Sequence, residues 1–326
     1  MSPTETPLLE ARGIRKHFTI NDDRGPARTL KAVDGVDLSI QAGEIVGVVG
    51  ESGCGKSTLG KTILRLYEPN DGELLWKGED LTAVSGPGLK AMRRDMQMIF
   101  QDPFSSLNPR KKVHQIISQP LRVHKLGAPS ELTSRTEAVM REVGINPAYG
   151  RRYPHQFSGG QRQRIGIARA LALEPEFVVC DEAVSALDVS IQAQILNLLL
   201  DLRDKHGFAN LFISHDLAVV KFIAERIMVM YLGRIVEQAS KNDLMAEPLH
   251  PYTRALLEAF PVADPSVRHK KKQIVVGDVP SPMDPPKGCH FHPRCPLASE
   301  KCRNEYPPLK EAAPGRLVAC WAVNGE

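Results

Sequence analysis

The sequence lacks several features, and each absence argues against one class of protein. No apolar run approaches the roughly 18 residues that a membrane-spanning helix needs. The net charge of +4 is too small to demand a nucleic-acid partner. The opening residues, MSPTETPLLEARG, have no cationic start followed by an apolar stretch, so we expect no signal peptide. Hydrophobic residues make up 42% of the chain, which excludes global disorder and supports a real core.

Cysteine is scarce until the end of the chain. Four of the six cysteines lie in the stretch GCHFHPRCPLASEKC, which begins at Gly288, and at Cys320. We expect the chain to remain in the cytosol, where disulfides are disfavoured. Cysteines that cluster in such a chain indicate metal ligands first.

Short apolar runs alternate with helical patterns along most of the chain. Three runs have the β-branched composition of buried parallel strands, namely EIVGVVG (44–50), EFVVCDE (176–182) and ANLFISHD (209–216). RIMVMYLGRIVEQ predicts a hairpin that turns at Gly233, and residues from about 103 to 172 predict a helical insertion. The alternation predicts an α/β fold with a largely parallel sheet. The Pro- and charge-rich stretch 261–287 is typical of a linker.

The stretch GESGCGKST matches the phosphate-binding pattern G-x-x-x-x-G-K-S/T between a predicted strand and a predicted helix. Its glycines allow backbone N–H groups to surround phosphate oxygens, and the helix N-terminus favours the anion. Lys56 is placed to reach the terminal phosphates, and Ser57 to ligate Mg²⁺. The predicted nucleotide-binding residues of this loop are Gly50, Glu51, Ser52, Gly53, Cys54, Gly55, Lys56, Ser57 and Thr58.

Two adjacent acids follow a second predicted strand, in FVVCDE. Asp181 ends the strand, where it can hold Mg²⁺ through water, and Glu182 can act as the general base that polarises the attacking water. Two acids at a strand end are common by themselves. Beside a phosphate loop they predict nucleotide hydrolysis.

Between these two sites lies FSGGQRQRIGIARAL, and here the sequence resembles the ATP-binding cassette (ABC) ATPases. Ser158, Gly159, Gly160 and Gln161 are similar to the family's signature motif. Gln101 in FQDP resembles the Q-loop glutamine, SALD (185–188) resembles the D-loop, and His215 in ISHD resembles the switch histidine. Phe18 in KHF resembles the aromatic residue that stacks on adenine, with His17 or a shifted register as alternatives.

The resemblance implies a fold and a mechanism. The fold is that of a P-loop NTPase of the ABC type, with a RecA-like core, an antiparallel β subdomain and a helical insertion, over residues 8–260. Two cassettes pack head to tail in this family, so each signature motif acts on the partner's ATP. The implied catalytic residues are Glu182, His215 and Gln101, and the implied Mg²⁺ ligands are Ser57, Gln101 and Asp181.

Two positions depart from the family pattern. Phe157 replaces the more common leucine before the signature motif, an apolar exchange that we expect to be harmless. Ala183 follows Glu182 where relatives usually have proline, so the loop after the general base loses a fixed φ.

Two further segments resemble one branch of the family. HPYTRALLEAFP, from His250 to Pro261, and the Cys-rich tail are similar to dipeptide and oligopeptide importer ATPases. This branch implies an uptake motor on the cytoplasmic face of the bacterial inner membrane. Its implied partners are a paralogous ATPase subunit, two permeases and an extracytoplasmic substrate-binding protein. Importers of nickel, opines or glutathione remain alternatives, as does a soluble non-transport ATPase. Soluble relatives that act on nucleic acid generally carry two cassettes or a long coiled coil, and this sequence has neither.

The tail itself leaves its ligand open. Cys289, Cys295, Cys302 and Cys320 have the spacing C-x₅-C-x₆-C-x₁₇-C, which matches neither a C-x₂-C zinc ribbon nor a ferredoxin. Packed or free thiols, and a mixed zinc site with His290 or His292, are both compatible with this spacing. The resemblance to peptide-importer ATPases implies that residues 261–326 form an extension that holds a 4Fe–4S cluster through the four cysteines.

Overall fold

The computed structural model describes residues 6–21, 27–259 and 277–325, and within them the chain divides into two compact units. The first unit combines residues 6–9 with Ser39–Ile45 and Leu75–Ile213. The second unit combines Glu10–Leu38, Val46–Leu74 and the described residues from Ser214 onward. The boundary predicted near residue 260 and most of the predicted linker lie outside the described residues.

Three parallel strands form the centre of the first unit. They are β6 (Met96–Ile99), β7 (Phe177–Asp181) and β8 (Ala209–Ile213), with β7 in the middle. Every residue of β7 and β8 is buried, as the unbroken apolar runs predict for strands covered on both faces. The register places Ile99 opposite Cys180, and Asp181 opposite Ile213. The carboxyl ends of the three strands therefore meet at one edge.

The predicted helical stretch of the first unit is indeed mostly helical. It contains α3 (Pro103–Ser106), α4 (Val113–Val123), α5 (Pro129–Glu142) and α6 (Gly159–Leu171). Two short 3₁₀ helices, Pro147–Arg151 and Pro154–Gln156, precede α6. Outside this stretch the unit contains α2 (Gly86–Asp95) and α7 (Val189–His206), and a hairpin pairs the end of β4 (Asp71–Trp76) with β5 (Glu79–Asp80).

The second unit is built on β3 (Ile45–Val49), which is fully buried and parallel to β9 (Arg226–Tyr231). The predicted hairpin turns at Gly233, with φ +81°, into β10 (Arg234–Ser240). The predicted helix after β3 is α1 (Lys56–Ile63), and the unit also contains α8 (Leu217–Ile223), α9 (Lys241–Ala246) and α10 (Pro251–Glu258). A further sheet has the order β2 (Arg28–Ile40), β1 (Leu9–Ile20), β4.

The C-terminal segment, defined here as residues 277–325, is ordered on the same unit. It contains α11 (Glu300–Asn304), β11 (Lys310–Ala313), β12 (Arg316–Val318) and α12 (Trp321–Asn324). β12 pairs antiparallel with β10, placing Val318 opposite Glu237, and the Trp321 indole donates to the Glu305 carbonyl at 3.1 Å. The segment therefore extends the sheet of the second unit.

Some elements differ from the sequence-based expectation. The sequence predicts a helix over roughly residues 56–67, whereas α1 ends at Ile63 because the chain turns at Arg65, which has φ +49°. α2 was not predicted, and none of its residues is buried, so no apolar stripe marks it. Among the described residues, no helix is both long and apolar enough to cross a bilayer.

The glycine in the middle of β3 is needed for close packing against α8. A Cβ on Gly47 would overlap the Cγ1 atom of Val220, which is fully buried. Gly47→Ala should therefore lower the thermal unfolding midpoint, at a cost of about 1–3 kcal/mol from overpacking. Adding Val220→Ala should recover part of that loss, because the two side chains compete for the same space.

A matched control is Gly166→Ala in α6, where an added Cβ meets nothing within 4 Å. This variant should leave the midpoint unchanged or raise it slightly, since alanine favours the helix. An equal loss of stability in both glycine variants would contradict the packing argument.

Candidate functional site

The phosphate loop connects β3 to α1 within the second unit. Gly50 and Gly55 have φ values of +156° and +109°, which favour glycine. A Cβ on Gly50 would overlap the Met230 carbonyl oxygen, and one on Gly55 would overlap that of Ala32. Glycine is therefore needed at both positions for two reasons. The turn requires a positive φ, and the neighbouring backbone leaves no room for a Cβ atom. This is the strand–loop–helix context that the motif predicts.

The Lys56 ammonium lies inside the loop. It donates to the carbonyl oxygens of Gly50 at 2.8 Å and Glu51 at 3.0 Å, and it lies 3.7 Å from the Cys54 sulfur. The Lys56 residue is only 4% exposed, so these contacts replace the water that an ammonium loses on burial. Burial raises the pKa of the Cys54 thiol, which is typical of a packed side chain rather than a reactive one.

Two residues from the far end of the chain hold the same loop from outside. The backbone N–H of Glu51 donates to the Tyr252 hydroxyl at 2.9 Å, and Tyr252 belongs to α10. Both carboxylate oxygens of Glu51 accept from the Arg294 guanidinium, at 2.9 and 3.0 Å. This contact could not be predicted from the sequence, because no local pattern connects position 51 with positions 252 and 294.

The start of α10 is fixed by buried polar contacts. The Glu237 carboxylate, 1% exposed, accepts from the backbone N–H groups of Leu249 at 2.8 Å and His250 at 2.8 Å. His250 Nδ1 accepts from the Tyr252 N–H at 3.0 Å, and burial lowers the pKa of His250 to about 3. The His250 imidazole is therefore neutral at physiological pH, and Tyr252 has a defined position beneath the loop.

The two acids predicted for hydrolysis end β7 in the first unit. Asp181 is 4% exposed, and Glu182 follows it in the left-handed region with φ +46°. The Glu182 N–H donates to the Ile213 carbonyl oxygen at 2.9 Å, and Gln101 Nε2 donates to Glu182 Oε2 at 2.8 Å. The parallel register explains this meeting, since Gln101 follows β6 and Glu182 follows β7. The left-handed conformation is uncommon for a non-glycine residue, and the chain adopts it here directly after β7.

The loop after Glu182 is closed by local hydrogen bonds despite the missing proline. Ser185 donates to the Glu182 carbonyl oxygen from its N–H at 3.1 Å and from its hydroxyl at 3.0 Å. Ala183 is 2% exposed and packs inward. These contacts supply conformational restriction that a proline would otherwise provide.

The signature residues open α6, also in the first unit. Ser158 is the N-cap residue, and its hydroxyl accepts from the Gln161 N–H at 3.3 Å. Gln161 Oε1 accepts in return from the Ser158 N–H at 3.1 Å, which completes a capping box. Ser158 and Gln161 are exposed, while Gly159 and Gly160 are half-buried, so the helix start faces solvent within this chain.

His215 and Phe18 both lie in the second unit. His215 is exposed between β8 and α8, immediately before Asp216, whose carboxylate caps α8 by accepting from Ala218 N–H at 2.8 Å. His17 Nε2 lies 3.1 Å from the Asp34 carboxylate, which draws the His17 side chain into a polar contact. Phe18 meets Tyr67 edge to face, with ring centroids 5.4 Å apart. The Lys16 ammonium lies 5.1 Å from the centroid of the Phe18 ring.

The four tail cysteines line one cavity, with Phe291, Leu297 and Trp321 among its walls. Cys289, Cys302 and Cys320 are buried, and Cys295 is half-buried. Burial and the neighbouring thiols raise the pKa of Cys289 to about 12. Within the described ranges, no group of three or more His, Cys, Asp or Glu side chains is arranged so that it could hold a metal ion.

Comparison with known proteins agrees with these features. The family model described as "ABC transporter" matches residues 33–185, and the model described as "Oligopeptide/dipeptide transporter, C-terminal region" matches residues 236–302. The oligopeptide transport ATP-binding protein AppF of Bacillus subtilis is 50% identical over 317 residues, 96% of this chain and 96% of that protein. A putative peptide import ATP-binding protein of Brucella ovis is 51% identical, over 98% of this chain and 99% of that protein.

Solved structures give the same fold. The ATP-binding cassette MJ0796, in a dimeric post-hydrolysis state bound to ADP and Pi, has a TM-score of 0.64 and 28% identity. The match covers 72% of this chain and 98% of that one. A second structure, cbiO1 from Clostridium perfringens, has a TM-score of 0.63 and 26% identity over 74% of this chain and 92% of that one. The resemblance drawn from the motifs is therefore confirmed: the chain belongs to the ABC transporter family, among the ATP-binding proteins that carry the oligopeptide/dipeptide transporter C-terminal region.

Proposed function

We propose that this ABC ATPase energises the uptake of di- and oligopeptides across the cytoplasmic membrane. The observation that carries the proposal is the full-length match to peptide transport ATP-binding proteins, which includes the region after β9 as well as the cassette. A cassette alone would not indicate a substrate, because one fold serves many solutes. The C-terminal region is the part of the chain that separates the peptide branch from other cassettes.

The proposed assembly places the chain at the cytoplasmic face of the membrane. A paralogous ATPase subunit would complete the head-to-tail pair, with two permeases and an extracytoplasmic binding protein. The solvent-facing start of α6 supports this arrangement, since Ser158 and Gln161 are exposed at the N-terminus of that helix and Gly159 and Gly160 lie between them. A helix N-terminus of this kind favours phosphate, so it suits the partner's ATP.

The proposed hydrolysis site uses the residues that match the family motifs. Gly50 to Thr58 would bind the phosphates of ATP, and Ser57, Gln101 and Asp181 would surround Mg²⁺. Glu182 would act as general base, with its carboxylate oriented by the Gln101 amide at 2.8 Å. His215 would contact the γ-phosphate, and Phe18 would stack on adenine. Mg²⁺, when bound, neutralises the charge that develops on the phosphate oxygens.

The proposed extension, residues 261–326, would hold a 4Fe–4S cluster through its four cysteines. That all four line one mostly apolar cavity supports this set of ligands, since cysteine thiolates are the usual donors for such clusters. Zn²⁺ is the alternative metal for the same four thiols, since cysteine thiolates also bind zinc. When bound, the cluster would supply a covalent crosslink within the C-terminal segment.

Glu182→Gln tests the proposed mechanism and transport role together. The variant should bind MgATP but hydrolyse it roughly 100-fold more slowly or worse, because an amide cannot accept the proton of the attacking water. Uptake of a labelled tripeptide should fall in parallel in cells that depend on this chain. Asp201→Asn, which removes an exposed acid on α7, should leave both rates unchanged. Near-normal hydrolysis by Glu182→Gln would refute the assignment, while lost hydrolysis with normal peptide uptake would refute the peptide role.

Metal analysis of anaerobically purified protein tests the cluster. We expect a brown protein with about four irons per chain. Cys302→Ser should lose most of this iron, whereas Cys180→Ala, which removes a buried thiol of β7, should retain it. Colourless, iron-free protein with stoichiometric zinc would overturn the assignment.

A further inference from the structure

We propose that Arg294 and Tyr252 are positioning residues for the phosphate loop, and that Arg294 keeps the loop able to bind an anion by neutralising Glu51. Arg294 and Tyr252 both contact the loop, although neither belongs to a nucleotide-binding motif. Arg294 makes two parallel hydrogen bonds to the Glu51 carboxylate, at 2.9 and 3.0 Å, and Tyr252 accepts from the Glu51 N–H at 2.9 Å.

The charge of Glu51 creates the need for a partner. A carboxylate within a loop that binds polyphosphate opposes the binding of that anion, because like charges repel at short distance. Arg294 cancels this charge with a planar guanidinium, whose fork matches the two carboxylate oxygens.

The ion pair lies in a place where it is worth more than a surface pair. The Arg294 side chain is 9% exposed and that of Glu51 is 29% exposed, so solvent screens the pair only partly. The hydrogen bonds that Arg294 donates to the Glu51 carboxylate raise the pKa of Arg294 above its usual value. Arg294 also lies 5.8 Å from the Phe291 ring, with its Nη1 atom 3.4 Å from the Tyr231 hydroxyl. Phe291 and Tyr231 therefore help to position the guanidinium, in addition to its ion pair with Glu51.

Tyr252 fixes the backbone of the same residue. Its ring packs against Tyr231 and Phe291, with centroids 4.6 and 5.5 Å away, and its own N–H is held by His250. The hydroxyl is thereby aimed at the Glu51 N–H by a rigid aromatic cluster. Glu51 is therefore held at its side chain by Arg294 and at its backbone by Tyr252.

The position of Arg294 connects the loop to the cysteine cavity. Arg294 ends the 3₁₀ helix His292–Arg294, which lies between Cys289 and Cys295. The His292 N–H donates to the Cys289 carbonyl oxygen at 3.0 Å, and the Cys295 N–H donates to that of His292 at 3.3 Å. The conformation of this short turn therefore sets where the guanidinium points. The inference rests on ATP binding by the family and requires neither peptide as the solute nor iron as the ligand.

The test is a charge-rescue series on the full-length chain, with MgATP affinity measured by displacement of a fluorescent ATP analogue. Arg294→Gln leaves the Glu51 carboxylate unpaired and should weaken MgATP binding about tenfold at low salt, with a smaller difference at high salt. Glu51→Gln combined with Arg294→Gln should restore affinity to within about threefold of the wild type, because no charge remains to oppose the phosphates. Arg294→Lys keeps the charge and should lie between these two.

The controls separate positioning from folding. Arg303→Gln removes an exposed cation from the same segment and should leave MgATP affinity unchanged. In the assembled ATPase, Arg294→Gln should raise KM for ATP while kcat at saturation stays within about twofold. If Arg294→Gln cannot be obtained folded, Glu51→Gln alone tests the proposal. It should bind MgATP at least as tightly as the wild type, because it removes the carboxylate that opposes the phosphates.

Three results would overturn the proposal. They are unchanged affinity in Arg294→Gln, a double variant as weak as Arg294→Gln, or a tenfold loss in Glu51→Gln alone. Loss of ATPase in Glu182→Gln would stand whichever of these is found, so failure of this inference is distinguishable from failure of the proposed function.

Discussion

A phosphate loop has to keep backbone N–H groups turned toward an anion, and this constraint organises the second unit. The turn from β3 to α1 needs glycine where neighbouring backbone approaches, as at Gly50 and Gly55. It also needs contacts that hold it open against collapse. Lys56 fastens the loop from inside through two carbonyl oxygens, while Arg294 and Tyr252 fasten it from outside through Glu51. The buried Glu237 and the neutral His250 then serve to place Tyr252.

This arrangement gives the C-terminal region a physical role in the ATPase. β12 extends the sheet beside β10, and Arg294 projects from a turn between two of the four clustered cysteines to the phosphate loop. A segment that identifies a branch of importers is thus also in contact with the part of the chain that binds ATP. The cysteine cavity and the phosphate loop are connected by Arg294, and also by Phe291, which lines the cavity and packs against Tyr252.

The sequence predicted the elements whose signal is local. Fully apolar runs predicted β3, β7 and β8, and the motif GESGCGKST predicted the strand–loop–helix turn, because both depend on neighbouring residues. The capping box of Ser158 and Gln161 follows from a four-residue pattern. α2 was missed because it has no buried face, and β11 and β12 were missed because each is only three or four residues long.

Contacts between distant positions could not be predicted in the same way. The meeting of Gln101 and Glu182 depends on the parallel register of β6 and β7, and that of Glu51 and Arg294 spans 243 positions of sequence. Nothing in a single sequence indicates that a Glu in a phosphate loop will contact an Arg near a cysteine. Only the folded chain brings them together.

The most direct test of the account is hydrogen–deuterium exchange across the phosphate loop. In Tyr252→Phe and Arg294→Gln, amides of a peptide covering residues 50–55 should exchange faster than in the wild type, because the loop loses an acceptor or an ion pair that holds Glu51. A peptide covering α7 should exchange at the wild-type rate in both variants. Unchanged exchange in residues 50–55 would contradict the claim that the C-terminal region holds the loop.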